Sequence, residues 1–386
     1  MNTQVKEERA CTVPLIKADL PPLEAIQESL REILGNGRIT NFGRFVREFE
    51  QKAGSYLGAH VATLSSGSQG LIFALQALGL APGEKVILPS FTFMATAQAV
   101  LYAGGIPVFA EVEDDLTLSP VDLENLLARH NDAAIAIGVH MYGLPCRVDR
   151  IQQVIDDANQ VRRRPVSLLY DAAHAFGSVV NGRRVGTFGA AEVFSLSVTK
   201  ALVSVEGGIV SSADRALIER IKKMRNYGIE ANYNAHFPGL NGKMSEFHAV
   251  IGLYNLERLD DYMAMRQISA RYYIYEVESR TGFRTFPWPQ GVTHTFKDFT
   301  VMVPDSLEGR RDRVIEFLKG QGVETRAYFH PPVHEQSFFR KYADRPLTRT
   351  EALSRRVITL PFYTTISESE MDYVVGALAE AERRLA

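Results

Sequence analysis

Val166-Ser-Leu-Leu-Tyr-Asp171 and Ala191-Glu-Val-Phe-Ser-Leu-Ser-Val-Thr-Lys200 are the two stretches that indicate the fold of this chain most directly. Each contains a short apolar run, which is typical of a strand buried on both faces of a parallel sheet. The first run ends in an acid, and a lysine follows the second. Because ligands collect beyond the carboxyl ends of parallel strands, we expect Asp171 and Lys200 to lie close together.

The same alternation extends in both directions from these stretches. Short apolar runs predict strands at 61–64, 85–89, 106–110, 134–139, 166–170, 191–196 and 207–212. Helical patterns separate them, near 67–79, 93–103, 120–130, 147–160 and 214–225. Two further helices come first, an amphipathic one at 22–35 and a second at about 43–57. Strands that alternate with helices at this spacing predict βαβ units. The fold class is therefore α/β, with a mainly parallel seven-stranded sheet flanked by helices.

The C-terminal third of the chain has a different pattern. Residues 245–279 predict one long helix that leads into a smaller lobe. That lobe has apolar runs at 299–303 and 357–361 and helical patterns near 308–321 and 367–384. We expect a large domain over 1–255, including the N-terminal helical segment, and a smaller C-terminal α+β domain over 256–386.

Composition excludes several classes of protein. The 386 residues include 43 basic and 45 acidic ones, for a formal charge of -2, without long blocks of like charge. This balance argues against a nucleic-acid or membrane partner. The two cysteines, Cys11 and Cys146, are too few for a disulfide framework and lack metal-ligand spacing. With no apolar signal core, we expect a cytoplasmic protein without a bound metal.

The acid and the lysine together indicate a specific chemistry. A lysine amine can form a Schiff base with the aldehyde of pyridoxal 5'-phosphate (PLP), and a carboxylate can keep the pyridine nitrogen protonated. Each residue also has an ordinary interpretation. Asp171 could cap the following turn, His174 could be a satisfied core histidine, and a lysine such as Lys200 is usually solvated. The coincidence of these groups at strand ends favours a PLP site.

Further residues fit the phosphate and the ring of that cofactor. Ser65-Ser-Gly-Ser-Gln-Gly70 follows a strand and opens a helix, where backbone N–H groups and hydroxyls can bind an anion. Helix capping explains such a segment equally well. Ser195 and Ser197 add hydroxyls beside Lys200. Phe93 follows a strand and could stack on the pyridine ring, or it could be a core phenylalanine.

The stretch Tyr328-Phe-His-Pro-Pro-Val-His334 supplies candidates for a substrate pocket. Tyr328, His330 and His334 are the side chains that we assign to it. A structural, proline-rich turn is the alternative interpretation.

An ordered set of motifs along nearly the whole chain resembles the DegT/DnrJ/EryC1/StrS family of PLP-dependent sugar aminotransferases, which has the fold of aspartate aminotransferase (PLP-dependent fold type I). The matching segments are Gly43…Phe49-Glu50, Ser65-Ser-Gly-Ser68, Pro89-Ser-Phe-Thr-Phe93, Asp171-Ala-Ala-His174, Ser195…Lys200 with Glu206-Gly-Gly208, Arg225-Asn-Tyr-Gly228, Gly239-Leu-Asn-Gly-Lys-Met244, Pro331-Pro-Val-His334 and Leu360-Pro-Phe-Tyr363.

The resemblance implies two catalytic residues. Lys200 matches the lysine that forms the internal aldimine with PLP and then moves the proton during transfer. Asp171 matches the acid that pairs with the pyridine nitrogen. Some relatives have a histidine in place of the lysine and act as dehydratases, and Lys200 argues against that activity here.

The resemblance also implies a set of cofactor contacts. His174 matches the residue at the ring hydroxyl, and Phe93 matches the stacking aromatic. Asn241 resembles an asparagine that reaches the phosphate bound by the neighbouring subunit, which implies a homodimer with shared active sites. The phosphate contacts are matched by Gly67, Ser68 and Ser195.

Together these features predict an aminotransferase that moves the amino group of L-glutamate through PLP onto a nucleotide-linked keto-sugar. The acceptor that best matches residues 194–208 is a dTDP-4-keto-6-deoxyhexose, and the product would be an amino sugar for glycan or secondary-metabolite biosynthesis. Alternatives are a 3-keto-sugar or cyclitol acceptor, GDP or UDP as carrier, and a PLP-dependent dehydratase or lyase. A PLP-binding regulator would need an added DNA-binding or membrane segment, which the sequence lacks.

Overall fold

The computed structural model describes residues 13–386, so Cys11 and the rest of residues 1–12 lie outside the described residues. Within this range the α-helices are, in chain order, α1 (Leu23–Asn36), α2 (Arg44–Leu57), α3 (Gly67–Ala77), α4 (Met94–Tyr102), α5 (Pro120–Arg129), α6 (Val148–Val161), α7 (Arg215–Met224), α8 (Glu246–Leu256), α9 (Leu259–Arg280), α10 (Arg311–Gly320), α11 (Thr348–Ser354) and α12 (Glu368–Leu385).

The strands follow the same order along the described chain. They are β1 (His60–Leu64), β2 (Lys85–Pro89), β3 (Ile106–Ala110), β4 (Ala133–Val139), β5 (Ser167–Asp171), β6 (Val179–Val180), β7 (Arg183–Arg184), β8 (Ala191–Ser195), β9 (Gly208–Ser212), β10 (Ile229–Ala231), β11 (Asn234–Ala235), β12 (Arg284–Thr285), β13 (Val292–Thr293), β14 (Phe299–Met302) and β15 (Val357–Leu360).

The predicted sheet is confirmed. Seven strands pair in the order β1-β9-β8-β5-β4-β2-β3. The contacts from β8 through β5, β4 and β2 to β3 are all parallel. Strand β9 is antiparallel to both of its neighbours, β1 and β8. All strands except β9 therefore point the same way, and their carboxyl ends form one edge of the sheet.

Helices cover both faces of this sheet, as the continuous apolar runs predict. Side chains of a strand alternate between its faces. In β2, Ile87 faces one apolar cluster, which contains residues of α2, α5, α6 and α8, whereas Val86 and Leu88 face a second cluster with residues of α3, α4 and α7. Every residue of β4 is buried. Because the sheet is packed on both faces, its strand ends have defined positions. The loops that begin at the carboxyl edge are therefore held in defined places.

The smaller lobe is α+β, as predicted. Strands β12, β14 and β15 form an antiparallel sheet, and helices α9, α10 and α12 pack with it. Its core includes the stacked rings of Tyr273 and Phe299, whose centroids are 4.4 Å apart. Val13 also belongs to this core. The division at residues 255 and 256 stays a prediction. No helix among residues 13–386 has both the length and the apolar character needed to cross a membrane.

Two details of the predicted helices are wrong. The long helix at 245–279 is two helices, α8 and α9, because Arg258 has non-helical angles (φ -110°, ψ 1°). The Asn255 amide donates to the carbonyl oxygens of Asp19 and Val203, which anchors the end of α8, and α9 then packs against α12 in the smaller lobe. Helix α1 ends beside Gly37, whose φ is 67°, rather than at Gly35.

Candidate active site

A cavity of about 360 Å³ lies where the carboxyl ends of the parallel strands meet. Its wall is built from the residues that follow the strands, from the first turns of α3 and α4, and from two segments of the smaller lobe. The predicted site residues that line it are Gly67, Ser68, Phe93, Asp171, His174, Ser195, Lys200 and Tyr328.

Lys200 lies in the loop after β8, and its side chain reaches into the cavity. Among residues 13–386, no carboxylate forms an ion pair with its ammonium group. Burial, and then the positive charge of Lys297, lower the pKa of Lys200 from 10.5 to about 7, against the attraction of Asp298 and Asp171. Because a neutral amine is the form that acts as a nucleophile or base, this lysine is prepared for either role near neutral pH.

Asp171 is the last residue of β5 and is almost fully buried. Its Oδ2 accepts a hydrogen bond from the Thr96 hydroxyl (2.8 Å), and its Oδ1 accepts one from the Ala173 N–H (3.1 Å). Burial raises the pKa of Asp171, and these two hydrogen bonds oppose that rise. The contact with the Ala173 N–H caps the following turn, as the alternative interpretation of Asp171 predicts. The Thr96 contact fixes the carboxylate from another element, so Asp171 has a defined direction in the cavity.

The start of α3 has the geometry of an anion site. Ser66 caps the helix, because its hydroxyl accepts from the Gln69 N–H (3.2 Å). The backbone N–H groups of a first helical turn have no partner within the helix. A side chain at Gly67 would place its Cβ 3.0 Å from the Cβ of Ser195 and 3.1 Å from its Cα. Glycine therefore lets the helix start approach the end of β8, which brings the Ser68 and Ser195 hydroxyls into one wall.

His174 and Phe93 both differ from ordinary core residues. Nδ1 of His174 is buried and has no hydrogen-bond partner among the described residues. Burial, and then the charge of Lys200, lower the pKa of His174 well below 6.5, so its ring is neutral. Phe93 is 51% exposed, which is not consistent with the core alternative, and the centre of its ring lies 5.9 Å from that of Phe329, which also lines the cavity.

The structure separates the three candidates for the substrate pocket. Tyr328 lines the cavity. His330 lies behind it, with Nδ1 3.3 Å from the Ser354 hydroxyl. The sequence could not show which of the three reaches the cavity, because all of them lie in one short stretch, 328–334.

His334 is held inside the protein. Its Nδ1 is 2.6 Å from the Ser90 hydroxyl, and its Nε2 is 3.3 Å from a carboxylate oxygen of Glu351. Ser90 is fully buried, so this serine, histidine and acid cannot meet a substrate as a hydrolase triad would. For His334 the geometry favours the structural-turn interpretation.

Asn241 does not line the cavity of its own chain. It pairs with Asn226 in an isolated antiparallel bridge and is exposed. Its contact with the phosphate in a neighbouring subunit stays a prediction.

Three residues at the site escaped sequence reasoning: Lys297 and Phe329, which line the cavity, and Thr96, which donates to Asp171. Thr96 lies in the first turn of α4, an apolar helix in which threonine carries no signal. Lys297 and Phe329 come from the smaller lobe, more than 90 positions beyond Lys200 in the sequence. Only the packing of the two lobes brings them to the site.

These residues fit PLP. A lysine with a lowered pKa and a buried carboxylate share one cavity with a helix start suited to a phosphate. The unpartnered Nδ1 of His174 is a buried polar atom that a ring substituent would satisfy. Lys200 would hold the aldehyde carbon, Asp171 the pyridine nitrogen, and the start of α3 the phosphate.

Comparisons with known proteins agree with this geometry. The GDP-perosamine synthase of Caulobacter vibrioides is 31% identical over 373 residues, which are 95% of this chain and 98% of that protein. The dTDP-4-amino-4,6-dideoxy-D-glucose transaminase of Escherichia coli is 30% identical over 92% of this chain and 95% of that protein.

Solved structures confirm the fold class. The crystal structure of DesI with its TDP-sugar product is 32% identical, with a TM-score of 0.87 over 95% of this chain and 92% of that one. The profile of the DegT/DnrJ/EryC1/StrS aminotransferase family matches residues 23–379. The match extends from α1 into α12 and so includes both lobes of the cavity wall. The chain therefore belongs to the DegT/DnrJ/EryC1/StrS aminotransferase family.

Proposed function

We propose that this protein is a PLP-dependent nucleotide-sugar aminotransferase that takes the amino group of L-glutamate. One observation carries the proposal: Lys200, with a pKa lowered to about 7, shares a cavity with the buried Asp171 at the carboxyl edge of the sheet. Membership of the aminotransferase family and the names of its relatives support the same reaction.

When bound, PLP supplies an aldehyde that takes up the amino group and a ring that accepts the electron pair of the cleaved Cα–H bond. Once the amino group of the donor has replaced it at the aldehyde carbon, Lys200 Nζ is a free, neutral amine and would take the proton from the Cα of the donor. In the second half of the cycle the same group returns a proton to the sugar carbon. A pKa of about 7 suits both directions, because a base works best when its pKa lies near the working pH.

Asp171 provides the matching negative charge. Its carboxylate, oriented by the Thr96 hydroxyl, would face the pyridine nitrogen and keep a proton there. A charged pair in a site with little water is stronger than the same pair in solution. The neutral ring of His174 can donate or accept at the ring hydroxyl without adding charge.

For the acceptor we propose a 4-keto-6-deoxyhexose carried on dTDP. The transaminase of Escherichia coli carries dTDP and a 4-amino-4,6-dideoxy sugar in its name, and DesI was solved with a TDP-sugar product. The Caulobacter relative is named for a GDP-sugar, so GDP is the alternative carrier.

We also propose a homodimer with shared active sites, located in the cytoplasm. Phe93, Met94 and Val198 are large apolar side chains that stay exposed on a single chain, although Phe93 forms part of the cavity wall. A second subunit would cover such groups. Asn241, which is exposed and outside its own cavity, is then free to face the partner.

The test is the visible absorbance of the purified protein with PLP, before and after L-glutamate. We expect a cofactor band that changes with L-glutamate and returns when a keto-sugar is added. A panel of dTDP-, GDP- and UDP-linked 3- and 4-keto-sugars then identifies the acceptor. A band that L-glutamate does not change would contradict the proposal and favour the lyase alternative or a different donor.

A further inference from the structure

A second lysine reaches the cavity from the smaller lobe. Lys297 belongs to the 294–298 segment, which lies directly before β14 and crosses to the large domain. Its backbone N–H donates to the carbonyl oxygen of Tyr142 (2.8 Å). Two residues earlier, the Thr295 hydroxyl donates to the carbonyl oxygen of His174 (2.6 Å). The segment is therefore tied to the loop after β4 and to the loop that carries His174, a proposed cofactor contact.

The backbone of this segment is held in an unfavourable conformation. Phe296 has φ 46°, in the left-handed region that a bulky side chain rarely adopts. The buried guanidinium of Arg266 donates to the carbonyl oxygens of Thr295 (2.8 Å) and Phe296 (2.5 Å) and keeps the segment in this shape. Strained backbone that surrounding contacts enforce is concentrated at functional sites. Here the strained residue directly precedes Lys297, which lines the cavity.

Lys297 is only 6% exposed and lines the cavity. Its Nζ donates to Oδ1 of Asp298 (2.7 Å) and lies 5.7 Å from the centre of the Tyr328 ring. An ammonium group has three N–H donors, and Asp298 accepts one of them. No other described residue accepts from this nitrogen. A buried cation with unused donors beside a cavity is suited to an anionic ligand.

Within residues 13–386, the wall of the cavity carries two acids, Asp171 and Glu206, and two lysines, and the lysines show where an anion can bind. The cations among the described residues that line the cavity are Lys200 and Lys297, and Lys200 is assigned to the cofactor. The His174 ring is neutral, and the start of α3 is assigned to a phosphate. An amino-acid donor brings an α-carboxylate next to the reacting carbon, and within the described chain Lys297 is the cation of the wall left to receive it.

We propose that Lys297 binds the α-carboxylate of the amino donor. This inference rests on the proposed function and adds to it the residue that recognises the donor. It also explains how one cavity accepts two unlike substrates. A keto-sugar has no charge beside its ketone, and the same N–H groups can donate to a sugar hydroxyl. Asp298 balances the lysine charge when no carboxylate is bound.

The test compares Lys297→Met with Lys297→Arg, which keeps a cation. We expect Lys297→Met to weaken the binding of glutarate, an unreactive dicarboxylate, roughly 10- to 100-fold, as loss of a charge-assisted hydrogen bond does. Calorimetry on the PLP-loaded protein measures this binding. Lys297→Arg should keep most of it. Lys17→Met is the matched control, because Lys17 forms an ion pair with Glu370 outside the cavity.

A kinetic comparison assigns the α-carboxylate specifically. The wild type should prefer L-glutamate strongly over its α-amide, and Lys297→Met should abolish that preference. The preference over the γ-amide, L-glutamine, should stay. Because Lys297→Met leaves Asp298 buried without a partner, the double variant Lys297→Met/Asp298→Asn tests the same loss in a chain without the orphaned charge.

Three results would overturn the inference. Unchanged glutarate binding in a folded variant would place the carboxylate elsewhere. Loss of inorganic phosphate binding instead of glutarate binding would indicate a phosphate site, and loss of the cofactor band would assign Lys297 to PLP. If wild-type protein binds glutarate through Lys297 but L-glutamate leaves the cofactor band unchanged, the proposed function fails and the carboxylate site stands.

Discussion

Two lysines line the same cavity and differ in what surrounds them. Lys200 follows β8 in the large domain, has no ion-pair partner in the described chain, and has a pKa lowered to about 7. Lys297 precedes β14 in the smaller lobe and is ion-paired with Asp298 at 2.7 Å. Burial, and then the charge of Lys297, favour the neutral form of Lys200, which is an amine that can react. Lys297 is instead held by the carboxylate of the next residue in the chain. The residue type is the same, and the surroundings differ.

Lys200→Ala should have the largest effect. It removes the amine that holds the cofactor and moves the proton, so turnover should fall by at least about 10²–10⁴-fold. The visible band of bound PLP should disappear with it. Lys297→Ala should keep the band, which separates the two lysines. Transamination at the wild-type rate by Lys200→Ala would refute its role.

Asp171→Asn should have the second largest effect on turnover. The amide keeps the shape and loses the negative charge, so turnover should fall about 10²-fold or more, as loss of one preorganised electrostatic group does. PLP affinity, measured by titration of the cofactor-free protein, should change much less. If affinity falls as far as turnover, Asp171 acts mainly in cofactor binding, and the proposed protonation of the ring nitrogen is wrong.

Thr96→Val tests the support of that carboxylate. Valine has nearly the same shape and cannot donate, so Asp171 loses the 2.8 Å hydrogen bond. A lost hydrogen bond to a buried charged group costs about 1.5–3 kcal/mol. We expect turnover to fall roughly tenfold and the melting temperature to fall by about a few degrees, because the same hydrogen bond also supports the fold. Thr92→Val is the control, since the Thr92 hydroxyl contacts Thr96 and not Asp171. Equal losses in both variants would indicate packing instead.

The lowered pKa of Lys200 should also appear as a pH dependence of stability. Between about pH 7 and the ordinary pKa of 10.5, the unfolded chain binds a proton at Lys200 that the folded chain does not. Stability therefore rises with pH across this window. From about pH 7 to about pH 9 the gain from this group is at most about 2 kcal/mol. Urea unfolding of the cofactor-free wild type and of Lys200→Met at several pH values measures this gain. If the free energy of unfolding depends on pH equally in both proteins, the pKa of Lys200 is not lowered.

Much of the fold could be predicted because it depends on local pattern. Apolar runs of strand length are stable only when they are buried. Because these runs alternate with helices, a parallel sheet with helices on both sides buries both faces of each strand. The prediction failed at Glu257-Arg258, where α8 ends and α9 begins. Both residues favour helices, so no sequence signal marks the break. The break depends on tertiary packing, because α8 packs in the large domain and α9 packs in the smaller lobe.

The sequence by itself determined the large domain's part of the site. Asp171, Lys200 and the start of α3 each adjoin a predicted strand, and the rule that carboxyl ends share an edge brings them together. Thr96, Lys297 and Phe329, and the position of His334 inside the protein, were decided by tertiary structure alone. Their roles depend on contacts between distant segments, which local pattern does not encode. Burial and neighbouring charge exist only in the folded chain, and they set the pKa of Lys200.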